Sequence, residues 1–300
     1  MTGVLNAMTV DVEDYFHVSA FAGVVSRDAW DRYESRVVRN TERLLTLFER
    51  ADVRATFFVL GWVAERFPAL VRQVHRAGHE IASHSYDHGL VYDKRPEEFV
   101  DDLRHAQAAI GAACGVRVVG YRAPSYSITD RSLWALDLLV AEGYTFDSSI
   151  YPIRHDRYGI PTWARHVQML ERRAGRLWEL PGSTVRHFGA NLPMGGGGYF
   201  RLLPYAWTRQ GVAHLNERER QPAIFYLHPW EIDPDQPRLQ AGLLSRIRHY
   251  TNLQRTEARL EQLLKDFRFG PVSDVLAASR LALDRAVVTP APAPNSLQSV

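Results

Sequence analysis

The sequence predicts an α/β fold built on a parallel sheet, open or closed into a barrel. Short apolar segments rich in β-branched and aromatic residues, such as Ala55-Thr56-Phe57-Phe58-Val59-Leu60, alternate with segments whose apolar residues recur at helical spacing. This strand-then-helix alternation is the pattern of parallel sheets. Several strand segments also run directly into acids, histidines or arginine, and carboxyl ends of strands are where such folds carry their chemistry.

The first strand is Ala7 to Val12, which leads into Asp11, Glu13 and Asp14. A carboxylate at the end of a buried strand is costly unless paired or coordinated. Thr41 is read as the cap of a helix with Leu44, Leu45, Leu47 and Phe48 on one face, and Ala55–Leu60 is the second strand. Trp62 to Ala77 reads as one helix ended by Gly78, and Glu80-Ile81-Ala82 as the end of a third strand delivering His84 and His88. Two imidazoles at this spacing converge on one metal ion if the backbone turns or begins a helix between them.

Pro96 to Ala113 reads as helix, Val118 to Pro124 as a strand with a proline stop, and Leu133, Leu136, Leu138 and Leu139 as a helix face ended by Gly143. Tyr144-Thr145-Phe146-Asp147 is a fifth strand ending in an acid. The beat breaks between Ser148 and Gln221, where Leu177 to Pro181 reads as a strand and Gly195 to Gly198 as a flexible loop. Ala223 to Leu227 is again a strand and ends in His228-Pro229-Trp230. A charged amphipathic helix follows over Thr251–Phe267, then a short strand at Phe269–Val272 and a helix from Val275 to Leu283 capped by Ser273. The expected organisation is a catalytic domain over residues 1–285, interrupted by an irregular insertion at about 148–221, and a disordered Pro/Ala/Ser tail over 286–300.

Composition excludes several classes. The net charge of +2, with no dense basic stretch interleaved with aromatics, does not suggest nucleic-acid binding. No apolar run approaches the roughly 18 residues of a membrane span. The lone Cys114 cannot form an intrachain disulfide and fits a reducing compartment; with no room for a signal before Asp11, a cytoplasmic protein is expected.

Strand ends thus carry Asp11 with Glu13 and Asp14, His84 with His88, Arg122, Asp147 and His228, in this order. With Gly78-His79-Glu80 before His84-Ser85-Tyr86-Asp87-His88, Arg122-Ala123-Pro124, and Tyr226-Leu227-His228-Pro229, the chain resembles the polysaccharide deacetylases of NodB type, carbohydrate esterase family 4. The resemblance runs from about Met8 to about Leu283. The wording at residues 11–17, 228–233 and 248–253 more narrowly resembles deacetylases associated with exosortase (PEP-CTERM) exopolysaccharide loci. It implies a distorted (β/α) barrel with fewer than eight complete units. One departure is the first motif, usually Thr-Phe-Asp-Asp-Gly, here Thr9-Val10-Asp11-Val12-Glu13-Asp14. Residues i and i+2 of a strand share a side, so Asp11 is read as base and Glu13 as third ligand, with Asp14 in reserve.

The resemblance implies hydrolysis of the N-acetyl group of an N-acetylated sugar in a bacterial exopolysaccharide or its precursor. A divalent ion, zinc first with cobalt or nickel fitting nearly as well, would sit on Glu13, His84 and His88. Arg122 would hold Asp11 ionised, the Ser125 amide would face the oxyanion, and His228 would protonate the leaving amine, oriented by Asp147 or Glu179. Tyr15, Phe16, Tyr126, Tyr199 and Trp230 are candidates to stack on sugars. The competing classes are an amidohydrolase acting on a small cyclic amide or imide, a glycosidase with paired carboxylates, and a non-catalytic carbohydrate-binding protein.

Overall fold

The computed structural model describes residues 3–279. The expected tail over 286–300, and the last helix beyond Ser279, lie outside the described residues.

The strands are β1 (Asn6–Val12), β2 (Thr56–Val59), β3 (Glu80–Ser83), β4 (Gly120–Tyr121), β5 (Phe146–Asp147), β6 (Gln168–Arg172), β7 (Gly175–Glu179), β8 (Thr184–His187), β9 (Ala190–Pro193), β10 (Ile224–Leu227) and β11 (Phe269–Gly270). One sheet runs β10-β1-β2-β3-β4-β5-β7-β6, with β11 added to the start of β1. Every pair in it is parallel except β6 with β7. The sheet curls into part of a barrel, so the fold is the distorted (β/α) barrel expected. β8 and β9 form a separate hairpin. The stretch read as irregular therefore contributes two strands to the main sheet.

The helices are α1 (Val37–Arg50), α2 (Gly61–Arg66), α3 (Pro68–Arg76), α4 (Pro96–Cys114), α5 (Ala135–Ala141), α6 (Gly197–Leu202), α7 (Tyr205–His214), α8 (Leu243–Tyr250) and α9 (Leu253–Asp266). The helix expected over Trp62–Ala77 is two, because Pro68 has no N–H to continue the first and instead opens the second at its first turn. α1 starts at Val37 rather than at Thr41.

Period-two alternation sorts the strand side chains into two faces. Met8, Val10, Val12, Phe57, Val59, Ile81, Tyr121, Phe225 and Leu227 join the large core beneath the helices. Ala7, Phe58, Ala82, Phe146, Trp178 and Ile224 form a second buried cluster in the barrel interior, joined by Val275 and Leu276 of the C-terminal segment. Continuing the interior register past the strand ends puts Asp11 and Glu13, His84, Arg122 and His228 at one end of the barrel. Asp147 and Glu179 have the other parity: they pair in register with each other and with Tyr121, on the helix-facing side.

Candidate active site

The turn from His84 to His88 is irregular rather than helical. Ser85 and His88 take left-handed backbone at φ +66° and +55°, strain of the kind that is tolerated where surrounding structure holds it. The hold is visible: the first amides of α2, on Gly61 and Trp62, donate to the carbonyls of Ser85 and Tyr86 at 2.8 and 3.0 Å. Ser85 Oγ also meets the Tyr121 hydroxyl at 2.8 Å. Gly61 is required because a Cβ there would lie 2.5 Å from the Tyr86 ring.

Among the described residues, Glu13, His84 and His88 are a buried group whose ligand atoms all lie within 4.8 Å of one another. Glu13 Oε2 and His88 Nε2 stand 2.7 Å apart, yet Glu13 Oε2 has no hydrogen-bond partner. Two buried ligand atoms this close, without a well-aligned hydrogen bond between them, suit convergence on one cation. His84 Nδ1 lies 2.8 Å from the carbonyl oxygen of Arg122, which can only accept; the proton is on Nδ1 and the Nε2 lone pair is free. Burial pushes the His84 pKa down to about 4, so the imidazole is neutral, as a ligand must be. Burial alone would raise the Glu13 carboxyl, but His88, His228 and His84 outweigh it and hold it well below the usual range. Trp230 Nε1–H donates to Glu13 Oε1 at 3.3 Å, fixing the other oxygen. Two imidazoles and a carboxylate fit a divalent transition metal, zinc among them.

Asp11 lies beside this group. Arg122 Nη1 donates to Asp11 Oδ1 and to Thr9 Oγ1, both at 2.7 Å, while its Nε and Nη2 donate to the carbonyl and hydroxyl of Ser148 at 3.1 and 2.9 Å. The guanidinium is wholly buried, 4.2 Å from the Phe58 ring centre. Asp11 Oδ2 is left facing His228 Nε2 at 3.8 Å. A cavity of about 190 Å³ opens over Asp11, Glu13, His84, His88, Ser125 and His228. Ser125 is held at φ +53° with its hydroxyl on that of Ser19 at 2.6 Å.

His228 directly follows β10 and is held by a residue that the sequence analysis did not single out. Its Nδ1 lies 2.7 Å from Glu231 Oε1, and its backbone N–H donates to the same oxygen at 3.0 Å. The neighbouring proline and the i to i+3 spacing make His228-Pro229-Trp230-Glu231 a capping-box sequence, and that signal could have found Glu231. Glu231 Oε2 in turn accepts from Arg201 Nε at 2.6 Å, for which the sequence carries no signal. Burial works against protonating His228, but Glu13, Glu231 and Asp11 push its pKa up to about 9.

Two expected roles are corrected. Asp14 does not face the metal group: its Oδ2 accepts from Ser35 Oγ and from the backbone N–H groups of Arg36 and Val37 at 2.7, 2.8 and 3.1 Å. It thus serves as a remote cap for the N-terminus of α1, which is why that helix needs no cap at Thr41. Asp147 and Glu179 do not orient His228, because their strand parity turns them to the other face. Asp147 bonds Ser149 and Glu179 instead, and burial pushes both carboxyls up so that the pair holds a proton. The glycine run is not a free loop either. Gly196, at φ +129°, lies against β10 so closely that a Cβ would fall 1.9 Å from the Tyr226 carbonyl oxygen.

Residues 28–144 match the polysaccharide deacetylase family, and residues 148–277 match a domain of unknown function, DUF3473. Over 98 residues the chain is 29% identical to a peptidoglycan-N-acetylglucosamine deacetylase of Bacillus cereus, covering 32% of this chain and 36% of that one. Over 85 residues it is 37% identical to a chitooligosaccharide deacetylase of Azorhizobium caulinodans, covering 28% and 40%. The chain thus matches well under half the length of these relatives. A Mycobacterium smegmatis structure assigned to the polysaccharide deacetylases superposes with a TM-score of 0.59 at 20% identity, over 100% of this chain and 96% of that one. Peptidoglycan deacetylase PdaC of Bacillus subtilis does so at 0.51 and 13% identity, over 95% of each.

Proposed function

We infer that this chain, whose residues 28–144 match the polysaccharide deacetylase family, hydrolyses the N-acetyl group of an N-acetylated sugar with the help of a divalent metal, zinc first. The observation that carries this reading is the convergence of Glu13, His84 and His88 on one point, with Asp11 on one side and His228 on the other. The relatives named as deacetylases of peptidoglycan N-acetylglucosamine and of chitooligosaccharide support an N-acetylhexosamine as the reacting unit. The sugar belongs, in this proposal, to a bacterial exopolysaccharide or its precursor, handled in the cytoplasm.

A metal bound to Glu13, His84 and His88 would polarise the acetyl carbonyl and make water a better nucleophile near neutral pH. Asp11 Oδ2 takes the proton of the attacking water, while Arg122 occupies Oδ1 and fixes the direction of the carboxylate. Ser125 lines the cavity, and its backbone N–H is the donor assigned in this proposal to the developing oxyanion. His228, protonated at neutral pH, delivers the Nε2 proton to the amine nitrogen as the C–N bond breaks and the bonding pair stays on nitrogen. The products are acetate and the free amino sugar. Purified protein should carry about one divalent ion per chain and release acetate from an N-acetylated chitooligosaccharide, and chelation should abolish the release. Acetate release undiminished by chelation would sink the metal-assisted reading and favour a paired-carboxylate chemistry.

A further inference from the structure

Residues 148–277, which match DUF3473, contain His228, Glu231 and Arg201. Arg201, at the end of α6, is only 2% exposed, and each of its three nitrogens donates a hydrogen bond. Besides Nε to Glu231 Oε2, Nη1 donates to the carbonyls of His249 and Thr251 at 2.8 and 3.2 Å, and Nη2 to that of Arg248 at 2.9 Å. These are the last carbonyls of α8 and its exit, which have no partners within the helix and carry its negative end. One guanidinium therefore closes a helix C-terminus and grips the carboxylate that holds the imidazole of His228. Trp230 completes the packing: His228 and His249 stack on it at 5.1 and 4.1 Å, both inclined 16°, and Arg201 lies 5.2 Å from its ring centre.

We propose that Arg201 is a positioning residue for the proton donor: through Glu231 it fixes the direction of His228 Nε2, and so makes the DUF3473 segment the proton-donating half of the active centre. The proposal rests on the deacetylase reading above. A capping arginine with only a structural role would need no carboxylate partner, since its three carbonyl bonds already close the helix. The reciprocal pairing of Glu231 with both Arg201 and His228 is what a helix cap leaves unexplained.

Leaving-group dependence tests this. An amide needs its amine protonated as it departs, whereas an aryl acetate expels a stable phenolate and does not. The variants Arg201→Ala, Arg201→Lys and Glu231→Gln are compared with wild type on an N-acetylated chitooligosaccharide and on an aryl acetate, with melting temperature and bound zinc measured alongside. Arg259→Ala is the structural control, because Arg259 also ties this region together, through the carbonyls of Phe200, Arg201 and Leu203, without touching Glu231. The expected result for Arg201→Ala and Glu231→Gln is a fall in amide kcat of about 10- to 100-fold with full zinc content. Aryl acetate kcat should fall by less than about 3-fold, and Arg201→Lys should recover part of the amide rate, as expected when the lost element is the fixed fork rather than the charge. Arg259→Ala should lower the melting temperature and leave the amide-to-ester ratio unchanged. Equal losses on both substrates, or an unchanged amide rate in a folded Arg201→Ala, would overturn the proposal. If Arg201→Ala does not fold, the same ratio in Arg201→Lys and Glu231→Gln decides it. Wild type that releases acetate from neither substrate would overturn the deacetylase reading itself, a different outcome from a wild type that is active and an Arg201 variant that matches it.

Discussion

Arg122 and Arg201 are both buried and both grip a carboxylate of the site, yet they are held in opposite ways. Arg122 extends from the end of β4 and bonds groups that strand register brings to the same barrel end: Thr9 and Asp11 on β1 and Ser148 just after β5. Arg201 sits at the end of a short helix and bonds a turn and the exit of another helix, none of them registered by a sheet. The base is thus held by groups in sheet register, whereas the proton donor, itself at the end of a barrel strand, is held from behind by groups that only the packing of the later segment brings together. Regular pairing positions a side chain through many backbone bonds, whereas docking concentrates the task on a few buried polar groups.

The largest way to break this contrast is at the metal group that both sides share. His84→Ala should strip the protein of bound metal and take acetate release below detection, measured by elemental analysis and an acetate assay. Retained stoichiometric zinc in that variant would remove His84 from the ligand set. His228→Ala should lower amide deacetylation by about 10²- to 10⁴-fold while bound zinc stays at the wild-type level. Loss of metal in parallel would place His228 among the ligands instead.

Arg122→Lys sharpens the comparison with Arg201, since the base serves every substrate. It should lower amide and aryl ester hydrolysis together, by about 10- to 100-fold, because an ammonium cannot reproduce the bonds to Asp11, Thr9 and Ser148 at once. A loss confined to the amide would mean that the two arginines serve the same half-reaction. Asp14→Ala should cost about 1–2 kcal/mol of stability by denaturant unfolding, from the lost cap on α1, and leave metal content unchanged. A drop in bound metal would return Asp14 to the site.

A last expected effect, read in stability rather than in activity, is its dependence on pH. Burial pushes the pKa of His17 down to about 3 and those of His79 and His84 down to about 4, from 6.5 in the unfolded chain. Below about pH 6.5 the unfolded state binds protons that the folded state refuses, so stability is full above that value and falls as pH drops toward about 4. Each such histidine contributes up to about 1.4 kcal/mol per pH unit. Asp14, pushed up to about 6 by burial, acts in the opposite sense between about 6 and its unfolded value of 3.8 and offsets about one of them, and the proton held by the Asp147–Glu179 pair offsets another. Melting temperature should therefore decline on acidification from about pH 7 to about pH 5. A flat profile would mean that these imidazoles are not buried in neutral form.

The amino-acid sequence by itself determined the barrel class, the positions of eight of the eleven described strands, all but β6, β8 and β9, and, through strand ends and its resemblance to the deacetylases, the set Asp11, Glu13, His84, Arg122 and His228. Period-two patterning, read against the core, turns Asp147 and Glu179 away, yet that needed the register between strands, which no single strand reveals. Strand spacing favoured Glu13 over Asp14 but left Asp14 in reserve; the arrival of α1 over the Asp14 carboxylate gives it other partners. Glu231 was written in a local spacing that could have been read. Arg201 was not, since it meets Glu231 and the carbonyls of residues 248–251 only through the packing of α6, α8 and the turn after β10. Local periodicity encodes which way a side chain points; which distant group it meets there is decided by how separately formed elements pack.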